Sequence, residues 1–306
     1  MEKYDVIIIG GGPAGVAASI YTARGLLKTL VIEKTAVGGQ IVLSDVIENY
    51  PGFTKPLNPT DLLNDMQKQA ENFGVKFEFD EVKEIIKKDD GFLIKTDWDE
   101  YEARGIIIAV GSSAKRTGVP GEEKFIGKGV AFCATCDAPF FKDKDIAIIG
   151  AGNSGIQEGL FALNFVRSIK YIEFLPKINA EKILQERIKE KDNVEFFLNT
   201  QLMEIVGDNK IEGIRIKNRE SGEEKFIKVD GVFLFVGNAP NTNFLKGFIE
   251  LDERGYIITD YTKKTSVEGV YAAGDSVKNE YSQVVIAAGS GVTAAMSLIS
   301  YLENKK

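Results

Sequence analysis

Tyr4 to Glu33 reads YDVIIIGGGPAGVAASIYTARGLLKTLVIE, and its pattern decides the fold. Tyr4 to Ile9 is a β-branched apolar run, the signature of a parallel strand buried on both faces. Gly10-Gly11-Gly12-Pro13-Ala14-Gly15 follows, and the Ala-rich stretch from Ala14 to Arg24 predicts a helix. Leu30 to Glu33 predicts the next strand, which ends on an acid 23 residues after Gly10. A glycine loop between strand and helix lets the backbone approach a pyrophosphate, and an acid at that offset suits a ribose hydroxyl. Residues 4–33 therefore predict a βαβ nucleotide-binding unit.

The pattern returns. Asp145 to Ile149 predicts a strand, Gly150-Ala151-Gly152-Asn153-Ser154-Gly155 a loop, Ile156 to Val166 a helix and Ile169 to Phe174 a strand. Glu173 again lies 23 residues after the first loop glycine. One such loop is weak evidence, but two in full strand–loop–helix–strand context are strong. Between them, Pro59 to Phe73 predicts an amphipathic helix. Val75–Phe79, Ile85–Ile86, Phe92–Thr96 and Ile106–Val110 predict short strands, the last running into Gly111. After the second unit come a helix over Ala180–Glu190 and strands over Val194–Leu198, Ile211–Lys217 and Val232–Val236. The tail, Gly269-Val270-Tyr271-Ala272-Ala273-Gly274-Asp275, leads into a long helix from Ser282 to Glu303. A strand ending in Gly-Asp ahead of a helix can place the acid on a flavin's ribityl chain, which argues for FAD over NAD at the first loop. The expected fold class is α/β, with two tandem Rossmann-like, three-layer dinucleotide-binding domains, the second inserted in the first. Residues 1–113 and 242–306 are expected to form the FAD-binding domain, and 114–241 the insert.

Bulk properties agree with that class. A chain of 306 residues can hold two domains with their own cores. With 44% apolar and 27% charged residues it has a globular composition, and its 31 glycines fall in no low-complexity run. A net charge of −7 gives no reason to expect nucleic acid or anionic membrane as a partner. No window approaches the roughly 18 uninterrupted apolar residues of a transmembrane helix. The N-terminus enters a strand almost at once, with no basic stretch ahead of it, so no signal peptide and a cytoplasmic location are expected.

The two cysteines stand together in Cys133-Ala134-Thr135-Cys136-Asp137, fourteen residues ahead of the second glycine loop. A structural disulfide is a poor expectation in a reducing compartment. Zinc needs about four ligands, and the sequence has no histidine and no third cysteine, so no metal site is expected. Two readings remain, a redox pair or two small buried hydrophobes. A thiol pair in a dinucleotide-binding chain favours electrons moving between a cofactor and a disulfide. A CxxC pair at a helix start lowers the pKa of one thiol and makes it the better nucleophile. Without histidine, proton handling near neutral pH falls to a carboxylic acid of raised pKa or to a thiol. Asp137 is then the candidate acid, unless it is an ordinary helix N-cap.

On these residues the chain resembles the low-molecular-weight thioredoxin reductases over its whole length. Gly10–Gly15, Gly38-Gly39-Gln40, Glu48-Asn49-Tyr50-Pro51-Gly52, Cys133–Asp137 with Phe140-Phe141, and Ala273-Gly274-Asp275 stand in the family's order. The resemblance implies an FAD-dependent enzyme that reduces thioredoxin through the CxxC, acting as a homodimer with a large domain rotation. It implies that Cys133, Cys136 and Asp137 are catalytic, with Cys136 facing the flavin, Cys133 attacking the substrate disulfide and Asp137 donating the proton. It places FAD contacts on Gly10, Gly12, Pro13, Ala14, Gly15 and Glu33. Further contacts fall on Gly39, Gln40, Asn49 and Gly111, and on Gly274, Asp275, Gln283 and Val284 near the C-terminus.

Three departures from the family pattern bear on the electron donor. The second loop is Gly150-Ala151-Gly152-Asn153-Ser154-Gly155 in place of Gly-Gly-Gly-x-x-Ala. The HRRxxxR that grips NADPH is replaced by Glu173-Phe174-Leu175-Pro176-Lys177-Ile178-Asn179, and the Arg-Gln of the last helix by Ser282-Gln283. A 2′-phosphate needs arginines, and Glu173 would repel it. In this the chain resembles the ferredoxin-dependent flavin thioredoxin reductases, which lack both motifs. Ferredoxin is the expected donor, with NADH and NADPH as alternatives. Lys142, Lys144, Lys177 and Lys182 are candidates for a basic patch that receives an acidic carrier. A flavin-binding redox sensor that does not turn over is the rival of another class.

Overall fold

The computed structural model describes residues 2–278 and 281–305. The first unit opens with β1 (Glu2–Ile9), α1 (Pro13–Arg24) and β2 (Thr29–Glu33), followed by α2 (Pro59–Asn72) and β3 (Lys76–Phe79). It continues through β4 (Val82–Lys88), β5 (Gly91–Thr96) and β6 (Glu100–Ile108) to β7 (Ser112–Ala114). The chain then builds a second unit from α3 (Glu122–Phe125), β8 (Val130–Ala131), α4 (Ala134–Asp137), β9 (Asp145–Ile149), α5 (Asn153–Ala162) and β10 (Ser168–Ile172). The same unit adds α6 (Lys182–Lys189), β11 (Val194–Phe197), β12 (Thr200–Gly207), β13 (Ile211–Asn218), β14 (Glu224–Ile227) and β15 (Gly231–Leu234). Through β16 (Asn238–Pro240), which pairs with β7, the chain returns to the first unit and closes it with β17 (Val270–Ala272) and α7 (Val284–Asn304). Unit 1 comprises Met1–Val42, Val46–Ser113 and Ala239–Lys306, and unit 2 comprises Leu43–Asp45 and Ala114–Asn238.

In unit 1 the strand order is β3-β2-β1-β6-β5-β4. β6 is long enough to be shared. Its first half pairs antiparallel with β5, and its second half, from Ile106, pairs parallel with β17. Strand alternation divides the core between the two faces. Val6, Ile8, Val31 and Ile107 pack under α1 and α7, whereas Ile7, Ile9, Leu30, Ile32, Ile106 and Ile108 form the opposite cluster. Both sets are almost wholly buried, which is why these strands read as unbroken apolar runs.

Unit 2 repeats the plan with a five-stranded parallel sheet, β11-β10-β9-β15-β8. Ile146 and Ile148 face α5 and α6, while Ala147 and Ile149 face the antiparallel β12-β13-β14 sheet. The fold class is α/β, with a dinucleotide-binding architecture in two units.

Several elements differ from expectation. α5 begins at Asn153 and stops at Ala162, rather than running from Ile156 to Val166, because the last three loop residues are already helical. β12 and β14 carry no strong apolar run. β14, Glu224–Ile227, is a charged edge strand held by its pairing with β13. α7 starts at Val284, two residues later than expected, with Gln283 as its N-cap. By length and mean hydropathy it is also apolar enough to cross a membrane, although Gly, Ser and Thr interrupt its apolar run. Its apolarity has a use in the fold, since Ala287, Gly291, Ala294 and Ala295 let it lie close against α1 and the sheet.

Ile107 and Ile148 are fully buried in the two cores. Replacing either with Ala should cost about 2–5 kcal/mol through lost burial and a residual cavity. A lowered denaturant midpoint, followed by circular dichroism, checks both.

Candidate active site

The first loop is shaped by two close approaches. Gly10 has φ +107°, and a side chain there would run into the Ala109 carbonyl. A Cβ on Gly15 would collide with the Gly10 carbonyl, so α1 can begin against the end of β1 only with glycine at both places. The Glu33 carboxylate closes the turn, accepting from the N–H of Gly11 at 2.6 Å and of Thr35 at 3.1 Å. Gly12, half-buried, faces open space, and α1 starts on Pro13 with no side-chain cap and no acid in its first turn. The positive end of the helix is thus left free for an anion.

Two further segments reach this loop. The 3-10 turn Gly39–Leu43 brings Gly39 against Gly12, where a Cβ on Gly39 would lie 3.5 Å from the Gly12 Cα. Gln40 is exposed on that turn. From the tail, Gly274 packs on the Ala14 methyl, and its N–H donates to the Ser290 hydroxyl of α7 at 2.8 Å. Asp275 next to it is partly desolvated, which pushes its carboxyl up, and it accepts no hydrogen bond from the described residues. Asn49 donates to the Gln283 side chain at 3.1 Å, just ahead of Val284, which packs against Ile47, Leu62 and Leu63. Gly111 has open space around its Cα, and its carbonyl accepts from the Asn241 N–H at 3.1 Å.

Within unit 2, Cys133 and Cys136 form a disulfide with their Cα atoms 5.4 Å apart. Cys133 is the N-cap of the short α4, and its sulfur accepts from the Cys136 N–H at 3.1 Å. Cys133 is buried and Cys136 is exposed. The sulfur at the helix start, the one favoured as a thiolate, is therefore that of Cys133. Asp137 ends α4. It stands at the N-cap position of the next 3-10 turn, Ala138–Phe141, but makes no capping bond, and burial pushes its carboxyl up. In the spacer, the Thr135 hydroxyl is buried without a partner among the described residues.

Sequence reasoning missed Glu158. It lies on α5, 7% exposed, and its carboxylate accepts from the N–H groups of Ala134 at 2.8 Å and Thr135 at 3.3 Å. Burial pushes its carboxyl up to about 7 against the pull of those two amides, with Asp45 adding to the rise. An available signal was its phase, because Gly155, Ile156, Gly159 and Ala162 on the same helix are all buried.

The second glycine loop copies the first. A Cβ on Gly155 would collide with the Gly150 carbonyl, and Glu173 accepts from the N–H of Ala151 at 2.5 Å and of Leu175 at 2.8 Å. Here the acid is 6% exposed. Asn153, first residue of α5, is tied to Glu181, whose N–H donates to Asn153 Oδ1 at 2.7 Å. Asn153 Nδ2 in turn donates to the Glu181 carboxylate at 3.2 Å. An arginine does arrive nearby from distant sequence. Arg219 lies 3.6 Å over the Phe174 ring and donates to the Phe174 carbonyl at 3.1 Å.

A dinucleotide-type loop with an open helix start and a CxxC disulfide define a flavin-linked disulfide oxidoreductase. The pattern of the pyridine nucleotide-disulphide oxidoreductases matches residues 4–291, and the chain belongs to that family, in its low-molecular-weight thioredoxin reductase group, with FAD as cofactor. A thioredoxin reductase of Peptoclostridium litorale is 40% identical over 306 residues, covering 98% of this chain and 97% of its own. The crystal structure of T. acidophilum thioredoxin reductase superposes with a TM-score of 0.94 at 40% identity, over 100% of both chains. A ferredoxin-flavin thioredoxin reductase from Clostridium acetobutylicum gives a TM-score of 0.55 at 30% identity, over 99% of each chain.

The residues of unit 1 fit FAD. The open face of Gly12 and the uncapped start of α1 suit its pyrophosphate, and the unpartnered Asp275 carboxyl suits a polyol hydroxyl. Glu33 has spent two acceptor positions on Gly11 and Thr35 and keeps others for a ribose hydroxyl.

Gly12→Ala should therefore fold but purify with little flavin, because its Cβ enters the phosphate approach and has no protein atom within 4 Å. Losing about 1.5–3 kcal/mol of charged contact lowers occupancy roughly tenfold to a hundredfold. Gly15→Ala should instead lose thermal stability, since its methyl meets the Gly10 carbonyl. The flavin-to-protein absorbance ratio and the melting temperature separate the two effects.

Proposed function

We propose that this flavoprotein is a thioredoxin reductase that receives electrons from reduced ferredoxin and passes them through FAD and the Cys133/Cys136 pair to thioredoxin. What carries the reductase reading is the Cys133–Cys136 disulfide at a helix start, with an amide already on the Cys133 sulfur. Bound FAD supplies the electron pair that opens the disulfide. Cys133, its thiolate favoured by the Cys136 N–H, is the nucleophile toward the S–S bond of thioredoxin, and its burial means that attack requires it to be uncovered. Asp137, with a raised pKa and no hydrogen-bond partner among the described residues, is the proton donor to the departing thiolate. A homodimer is part of the same proposal, to be read by light scattering.

Support for ferredoxin comes from the second loop. Glu173 is buried and already bonded to two loop amides, so a negative charge stands where a 2′-phosphate would lie. Phe174 and Leu175 follow it, and Arg219 is engaged by the Phe174 ring and carbonyl. Glu181, held at the start of α5 by Asn153, sets a second carboxylate beside the helix end a pyrophosphate would use. Lys142, Lys144, Lys177 and Lys182 are all exposed and available to an acidic carrier. The non-turnover sensor draws on the same altered second loop, and turnover with thioredoxin and reduced ferredoxin separates it from the reductase, because a sensor would bind without catalysis.

Oxidised protein mixed anaerobically with NADPH, NADH and reduced ferredoxin in turn should lose its flavin absorbance rapidly with ferredoxin alone. Rapid bleaching by NADPH would remove the ferredoxin assignment and leave the reductase reading standing. Cys136→Ser should keep its FAD and still be reduced at the flavin, but fail to reduce thioredoxin. Full insulin-coupled turnover by that variant would refute the relay.

A further inference from the structure

Glu158 is the buried ionisable group that this mechanism leaves without a task. Three backbone N–H groups open the first turn of α4, those of Ala134, Thr135 and Cys136. The Glu158 carboxylate takes the first two, and the Cys133 sulfur takes the third. A cysteine at a helix start normally has the whole turn to stabilise its thiolate. Here two of the three donors are turned onto a carboxylate that reaches from α5 to the turn carrying the sulfur.

We propose that Glu158 is a positioning residue that holds the CxxC turn and keeps the Cys133/Cys136 couple strongly reducing, by withholding those amides and opposing a thiolate on Cys133. This deepens the reductase reading and rests on it. The electron pair that breaks the S–S bond comes from the reduced flavin, and each sulfur ends as a thiol or a thiolate according to whether it gains a proton from solvent or a neighbouring acid. A charge that disfavours the thiolate destabilises the reduced pair relative to the disulfide, and so strengthens it as a donor to another disulfide. The charged groups that bear on this turn act in one sense. Asp45 raises the Glu158 carboxyl further, and Asp137, at the other end of α4, is also an acid. The first turn of α5 carries no acid, and the one charged group among the main influences on Glu158 is Asp45.

Glu158→Gln keeps an oxygen for the amides and removes the charge, while Glu158→Leu also frees the amides. In the FAD-loaded protein, Glu158→Gln should lower the pKa of the more reactive thiol by about one unit, read from the pH profile of iodoacetamide alkylation. It should shift the dithiol–disulfide equilibrium about tenfold toward the dithiol, about 30 mV less reducing against a glutathione buffer. Glu158→Leu should move both further the same way, and retained flavin absorbance in either variant shows that the fold has survived. Unchanged alkylation profile and midpoint in both variants would overturn the proposal, as would a shift to more reducing values. Neither readout uses an electron donor or thioredoxin, so this idea can fail while the reductase reading stands. If the reductase reading fails, the wild-type dithiol does not reduce thioredoxin.

Discussion

A missing methyl group at the junction of strand and helix is the constraint on which both units depend. At Gly15 and at Gly155 the helix can approach the carbonyl of the first loop glycine only because no Cβ intervenes. That approach fixes where each helix begins, and with it the direction of its unpaired N–H groups. In unit 1 the consequence is an open, uncapped helix end beside Gly12, with Gly39, Gly274 and Asp275 gathered close to the loop. In unit 2 the same junction sets the phase of α5, and that phase turns Glu158 inward under the first turn of α4. A glycine turn of nucleotide-cradle form is thereby also the support on which the disulfide rests. It would be required for that purpose whether or not a nucleotide ever lay on it.

The two loops diverge where chemistry rather than geometry is at stake. A Cβ on Gly11 would come 3.1 Å from that of Glu33, so the first loop keeps glycine there. The second carries Ala151, wholly buried, with Glu173 drawn in behind it to 6% exposure. Glu33 remains half-buried at the edge of its loop. The second loop is thus the more tightly filled of the two, and the acid of its turn is bonded to two of its amides. Asn153 and Glu181 then tie the start of α5 to the chain that follows β10. A turn can keep its fold while the charges around it differ from those of its counterpart.

The parts of this arrangement that were legible in the sequence are those written in consecutive residues. β1, β2, β9 and β10 are buried on both faces, so each reads as a continuous apolar run, and the glycine turns sit at fixed offsets from them. β6 was legible only in its second half. Its first half, Glu100–Arg104, alternates charged and apolar residues and is a strand because β5 lies against it. β12 and β14 likewise owe their conformation to β13 more than to composition. The cysteine pair was visible from its spacing, but Glu158 was not, because its importance lies in bonds to amides 24 and 23 residues away. Arg219 escaped for the same reason, since it reaches Phe174 from the turn between β13 and β14.

In a chain without histidine proton handling falls to carboxylic acids or thiols, and on the reading proposed above unit 2 gives two carboxylic acids different work. Asp137 and Glu158 stand at opposite ends of one short helical segment, and burial raises both carboxyls. Their surroundings differ in kind. The Asp137 carboxyl makes no hydrogen bond among the described residues, which suits the proton exchange proposed for it. Glu158 is enclosed and accepts from two amides, so its charge bears directly on the turn that carries the cysteines. Two groups of the same type in contrasting environments are a common way for a protein to give its acids different tasks. On this reading the proton travels with Asp137, while Glu158 sets how willingly the sulfurs give up their electrons.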